Sequence, residues 1–134
     1  MSVIKSKRTT SSMEFIATAK KLEIFSIRKC TNFPKRYTFY IAQPIANAAL
    51  RVYEFVQKAN SIYPTNQHEA QLRKDCFIKA YAELNSMVSQ IEIAYEMFDI
   101  DLKSVQEWIE LIDTETRLIK AVIKADRDRY KNLS

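Results

Sequence analysis

The sequence predicts an all-α protein, an antiparallel up-down four-helix bundle, and three observations carry that prediction. The 134 residues include no glycine, where an average chain carries about 7%, so the Asn-Gly and Asp-Gly hairpin turns of β-rich folds are missing. Apolar residues make up 47% of the chain and recur mostly three and four positions apart, the spacing of a helix face. Turn signals gather at three short breaks, Thr31-Asn32-Phe33-Pro34, Tyr63-Pro64-Thr65-Asn66 and Phe98 to Asp101. Four helix-length segments remain, joined closely enough to lie antiparallel, in a chain of one domain's length.

The elements follow in order. Met1 to Ser12 carries Lys5, Lys7 and Arg8 followed by Thr9, Thr10, Ser11 and Ser12. It reads as a flexible basic tail, and its lack of an apolar core separates it from a secretory signal. The bundle domain is assigned to residues 13–134. Its first helix, Met13 to Lys29, carries Phe15, Ile16, Ala19, Leu22 and Phe25. The first break supplies a cap and a proline for the next start. Helix two runs from about Lys35 to Asn60 with Ile41, Ile45, Ala48, Val52, Val56 and Ala59 on one face. Pro44 is expected to kink it in its first third, because the ring clashes with the Tyr40 carbonyl.

Asn66 followed three residues later by Glu69 reads as a capping box. It opens a third helix to about Met97, on which Leu84, Met87, Ile91, Ala94 and Phe98 alternate by three and four. Helix four, about Leu102 to Lys131, is capped either by Asp101 or by a Ser104 and Glu107 box. It shows two heptad stripes: Val105, Ile109, Ile112, Thr116, Ile119 and Ile123, and beside them Trp108, Leu111, Glu115, Leu118, Val122 and Ala125. Two stripes exceed what one partner helix covers. Either helix four is wedged between two neighbours of its own bundle, or one stripe, with Trp108, Leu111, Leu118 and Val122, meets another subunit.

Composition excludes much chemistry. Without glycine there is no P-loop, dinucleotide fingerprint, Gly-rich kinase loop or G-x-x-G clamp on RNA. One histidine and two cysteines do not assemble the common zinc sites. His68 has no evident partner for a triad or dyad. A di-iron bundle needs a Glu-x-x-His pair on each of two helices, and Thr65 stands where that glutamate belongs. Asp99 and Asp101 lack the glycine of a calcium loop and suit helix capping. Glu110 and Asp113 read as solvated neighbours. Cys30 and Cys76 belong to no paired motif and read as reduced, packed thiols. The expectation is a non-enzymatic protein with no catalytic residues, metal or cofactor. No segment approaches the roughly 20 apolar residues of a membrane span, so a cytoplasmic location is expected.

Twenty-one Lys and Arg against sixteen Asp and Glu leave a net charge of +5, which suits an acidic partner without requiring one. Arg117, Lys120, Lys124, Arg127 and Lys131 step 3-4-3-4 along helix four. The macrodipole accounts for cations in the last turn, and the row extends well beyond it. Such a row contacts phosphates without reading base sequence; a plain solvated face is equally compatible with the spacing. Lys35, Arg36, Arg51, Lys58, Arg73 and Lys74 are candidates to widen the patch. Tyr37, Tyr40, Tyr53, Tyr63, Tyr81 and Tyr95 suit either base stacking or core edges.

Asn32-Phe33-Pro34-Lys35-Arg36-Tyr37, leading into a long second helix, resembles a family of small bacterial four-helix-bundle proteins. The family includes proteins encoded in ribosomal-RNA intervening sequences and the accessory variability determinants (Avd) of diversity-generating retroelements. Ile45-Ala46-Asn47-Ala48-Ala49, Lys58-Ala59-Asn60 and the Ala80, Leu84, Gln90-Ile91 run are similar in character. The likeness spans about Met13 to Tyr130. Two departures are Ser61-Ile62-Tyr63-Pro64, where many relatives have a glycine, and Pro44 within helix two. The resemblance implies a barrel-like homopentamer with a basic surface, associating with a reverse transcriptase and its template RNA. Neighbouring genes separate this from an intervening-sequence protein without a polymerase partner. A purely structural protein-interaction bundle is the remaining alternative.

Overall fold

The computed structural model describes residues 13–134; the basic tail assigned to residues 1–12 lies outside the described residues. Four long helices, α1 (Glu14–Cys30), α2 (Gln43–Asn60), α3 (Gln67–Met97) and α4 (Leu102–Tyr130), form the fold, and the described residues contain no strand. Each helix packs against the one before and the one after it, and α4 closes on α1. The last turn of α1 meets the first of α4, where Lys29 Nζ donates to Ser104 Oγ at 2.9 Å. At the opposite end the Gln67 amide at the start of α3 donates to the Tyr130 carbonyl at the end of α4, 2.6 Å away. The helices therefore alternate in direction around the ring.

The breaks act as predicted, with local differences. Asn66 Oδ1 accepts the Glu69 N–H at 2.9 Å. The return half of the box is displaced by one residue: the Glu69 carboxylate accepts both the Thr65 N–H and the Thr65 hydroxyl, each at 2.7 Å. Those two donors hold the Glu69 carboxyl below its ordinary pKa. Asp101 caps α4 by accepting the Ser104 N–H at 3.3 Å, which decides between the two caps considered.

Helix two is not one α-helix with a proline kink. A 3₁₀ turn, Lys35–Tyr37, passes into a π turn, Thr38–Ala42, and only then into α2. Pro44 stands in the first turn of α2, where its missing N–H costs little. The Gln43 N–H reaches back five residues to the Thr38 carbonyl. The wider π turn thus sits where the ring was expected to collide with the Tyr40 carbonyl, and leaves Phe39 and Tyr40 77% and 84% exposed.

The core is the set of faces the spacing picked out. Ile41, Ile45, Ala48, Val52, Val56 and Ala59 of the second segment are all buried, as are Leu84, Met87, Ile91 and Ala94 of α3. At the end where α1 finishes and α4 begins, Phe33 packs edge-on to Phe98 (centroids 4.8 Å apart) and near Trp108 (6.2 Å), while Tyr37 stacks on Phe98 at 4.9 Å. Phe33-Pro34 is therefore a plug: the phenylalanine closes the bundle and the proline turns the chain away from it. Trp108 donates its indole N–H to Ser26 Oγ at 2.9 Å, satisfying two polar groups that burial would otherwise leave without partners.

Cys30 and Cys76 are free thiols, the first buried and the second half-buried. Burial pushes the Cys30 thiol up to about 12, so the thiolate that reacts with electrophiles is scarce. Iodoacetamide at neutral pH is expected to label Cys76 first and Cys30 only in urea; intact-mass and peptide mapping checks the order. Equal native rates at both cysteines overturn it.

Candidate nucleic-acid interface

Of the five cations, Arg117, Lys120, Lys124 and Arg127 are exposed on α4, and Lys131 is exposed at its C-cap. At 3.6 residues per turn they fall within an arc of about 80°. Glu110 and Asp113 continue the same line toward the start of the helix, so the exposed face is acidic in its first half and basic in its second. The ion pairs among the described residues are Arg51–Glu83, Arg73–Asp126 and Arg129–Asp126, and none neutralises the row. Lys120 Nζ lies 5.0 Å from the centre of the Tyr81 ring. The Asn85 side chain and, after it, the Lys120 ammonium hold the Tyr81 hydroxyl below its ordinary pKa.

Of the second group of cations, Lys35, Arg36, Arg51, Lys58 and Arg73 do not join this row, while Lys74 lies across a groove from its end. Lys35 and Arg36 sit at the other end of the bundle, on the turn after α1. Arg51 is committed to Glu83, and Lys58 lies over the Phe55 ring at 5.5 Å. Arg73 contradicts its expected role outright. It is 7% exposed, pairs with Asp126 at 2.6 Å, and donates to the Ala59 and Ile62 carbonyls at 3.0 and 3.3 Å. It ties the end of α2 to α3 and α4 and leaves nothing for a phosphate. The sequence held the signal: Arg73 lies on the 4-3-4 line of Phe77, Ala80 and Leu84, a buried stripe.

The two stripes of α4 merge. Trp108, Ile112, Glu115 and Ile119, drawn from both, are buried along the centre, and Leu111, Leu118 and Val122 are half-buried beside them. Trp108 faces its own core and offers no surface to another copy. Leu118, Ala121, Val122 and Ala125 instead line an open groove of about 600 Å³, together with Phe15 of α1 and Met13 just before it. A second groove, of about 390 Å³, runs between the start of α3 and the end of α4 and includes Lys74, Arg127 and Lys131 in its lining.

Glu115 was legible only as a member of a stripe. Its side chain is fully buried, and neither carboxylate oxygen has a hydrogen-bond partner. Desolvation raises its pKa to about 9, so at neutral pH the group is an uncharged acid.

Among the described residues, no three His, Cys, Asp or Glu side chains come together as metal ligands, and no helix is long and apolar enough to cross a membrane. His68 is exposed in the first turn of α3. No protein-family model, curated protein or solved structure matches the chain.

Proposed function

We propose that this helical bundle is a non-enzymatic nucleic-acid-binding scaffold whose α4 row grips the phosphates of structured RNA. The carrying observation is that row: five exposed cations on one face, none paired with a carboxylate among the described residues. A cationic line on a straight helix supplies affinity without base recognition. Together with the resemblance to Avd proteins, it favours an accessory role beside a reverse transcriptase in a diversity-generating retroelement. Phe39 and Tyr40, exposed on the π turn, are side chains a protein partner would cover. The half-buried Leu111, Leu118 and Val122 suit contact between copies, as a barrel-like homopentamer requires.

The deciding experiment is binding to a structured RNA at low and moderate salt, with the mass of the protein recorded in the same buffers. Tight binding that falls steeply with salt, on a multimer of about five subunits, supports the reading. A monomer indifferent to RNA at low salt overturns it.

The double change Lys120→Glu, Lys124→Glu is expected to weaken RNA binding at least about tenfold and to flatten the dependence of log affinity on log salt by roughly two phosphate contacts. Its unfolding midpoint is expected to stay near the parent's, because both side chains are exposed and the Lys120–Tyr81 contact contributes no more than about 1 kcal/mol. Unchanged RNA affinity removes the row from the interface.

A further inference from the structure

We propose that the groove between the start of α3 and the end of α4 seats the 5′-terminal nucleotide of an RNA strand, with its phosphate monoester held by Lys74, Arg127 and Lys131. The proposal rests on the RNA reading through Arg127 and Lys131, which the groove shares with the cationic row. It adds a residue from another helix and a definite ligand.

Five observations converge. Lys74 on α3, Arg127 on α4 and Lys131 at the C-cap of α4 are all exposed, and all line the groove. No described carboxylate pairs with any of them. The one carboxylate in the lining, Asp126, is already engaged by Arg73 at 2.6 Å and approached by Arg129 at 3.7 Å. The lining also includes the half-buried Ala70, Ile123 and Tyr130, small, aliphatic and aromatic surfaces of the kind a base packs on. The rim is fixed by Gln67, whose amide donates to the Tyr130 and Leu133 carbonyls at 2.6 and 3.1 Å.

Size and charge select the ligand. A volume of about 390 Å³ lies at the small end of the range of ligand pockets, about 300–1,000 Å³, which suits one nucleotide and not a duplex. Three cations around one small groove exceed the single charge of an internal phosphodiester. A terminal monoester carries roughly −1.5 to −2 near neutral pH and offers three acceptor oxygens. An acidic side chain of a peptide brings one charge and no ring.

The test uses the full chain with four probes: one short single-stranded RNA with a 5′-phosphate, the same RNA with a 5′-hydroxyl, adenosine 5′-monophosphate, and adenosine. Affinity is read by anisotropy, and groove occupancy by the methyl NMR signals of Ile123 and Ala70. The phosphorylated RNA is expected to bind about five- to tenfold tighter than the hydroxyl form, the net worth of about one ordinary hydrogen bond in an open, solvated groove. Lys74→Ala, and independently Lys131→Ala, are expected to abolish that preference.

Methyl shifts with the mononucleotide but not with adenosine confirm that the phosphate anchors the ring. If the mononucleotide shifts them and the RNA end does not, the groove takes a free nucleotide and the RNA-end assignment falls. Equal affinity for both RNA ends, with the Lys120, Lys124 variant still weakened for both, overturns the groove and leaves the RNA reading standing. A Lys74-dependent mononucleotide shift in a protein that binds no RNA does the reverse.

Discussion

Replacing Arg73 by methionine is expected to destabilise the protein by about 3–5 kcal/mol, the cost of stripping one partner from a buried ion pair. The thermal midpoint should fall by at least about 10 °C for a chain of this size. The loss has two parts. Asp126, whose side chain is 13% exposed, loses its close counter-charge and keeps only Arg129 at 3.7 Å. The Ala59 and Ile62 carbonyls lose the Arg73 donors at 3.0 and 3.3 Å; the Ala59 carbonyl keeps the Ile62 N–H at 3.1 Å, so the cost falls mainly on the Ile62 carbonyl and on Asp126. Asp126→Leu is expected to be similarly damaging, because it strands a guanidinium in the core. Combining the two changes should recover much of the loss, since apolar replacement of a whole buried pair is often close to neutral. Urea unfolding of the four proteins in a double-mutant cycle reads the coupling. Additive effects, or a single-variant loss below about 1 kcal/mol, would show that Arg73 is not the tether.

The same residue shows how far the sequence could be read. Periodicity located four helices, and the caps at Asn66 and Asp101 fell where the residue types put them, because hydrophobic spacing and capping are local. Arg73 and Asp126 are far apart in sequence and meet only when α3 lies along α4; by charge each reads as a surface residue. Their positions on buried stripes were the clue that outranks charge: a cation on a core line needs a partner on another core line. Pro44 failed for a related reason. Its clash with the Tyr40 carbonyl presumes α-helical bonding upstream, and the π turn at Thr38–Ala42 supplies a different pattern. In the candidate interface, the α4 row was legible because it lies within a single helix. The contribution of Lys74 depends on which end of α3 meets which end of α4, so only the assembled fold brings it to Arg127 and Lys131.

Glu115 carries the other large effect, and its sign is unusual for a carboxylate. In the unfolded chain a glutamate ionises near 4.5; in the fold, burial among partners that offer it no hydrogen bond raises the value to about 9. Below pH 4.5 both states hold the proton, and the group sets no pH dependence. Between the two values the unfolded chain releases its proton while the folded chain keeps it, so stability falls as pH rises, by about 1.4 kcal/mol per pH unit. At pH 7 this one group is expected to have withdrawn about 3 kcal/mol relative to pH 4.5. Glu115→Gln removes the titration and keeps the shape. It should match the parent near pH 4.5, exceed it by about 3 kcal/mol at pH 7, and widen its lead further at pH 8.5. Glu115→Leu adds the benefit of an apolar side chain on the line of Ile112 and Ile119 and should show the same pH-dependent lead above a raised baseline. Denaturant unfolding at the three pH values, read as the difference between variant and parent, cancels the contributions of every other carboxylate. A difference that stays constant with pH would mean that Glu115 is solvated or paired, and the buried-acid account would fall.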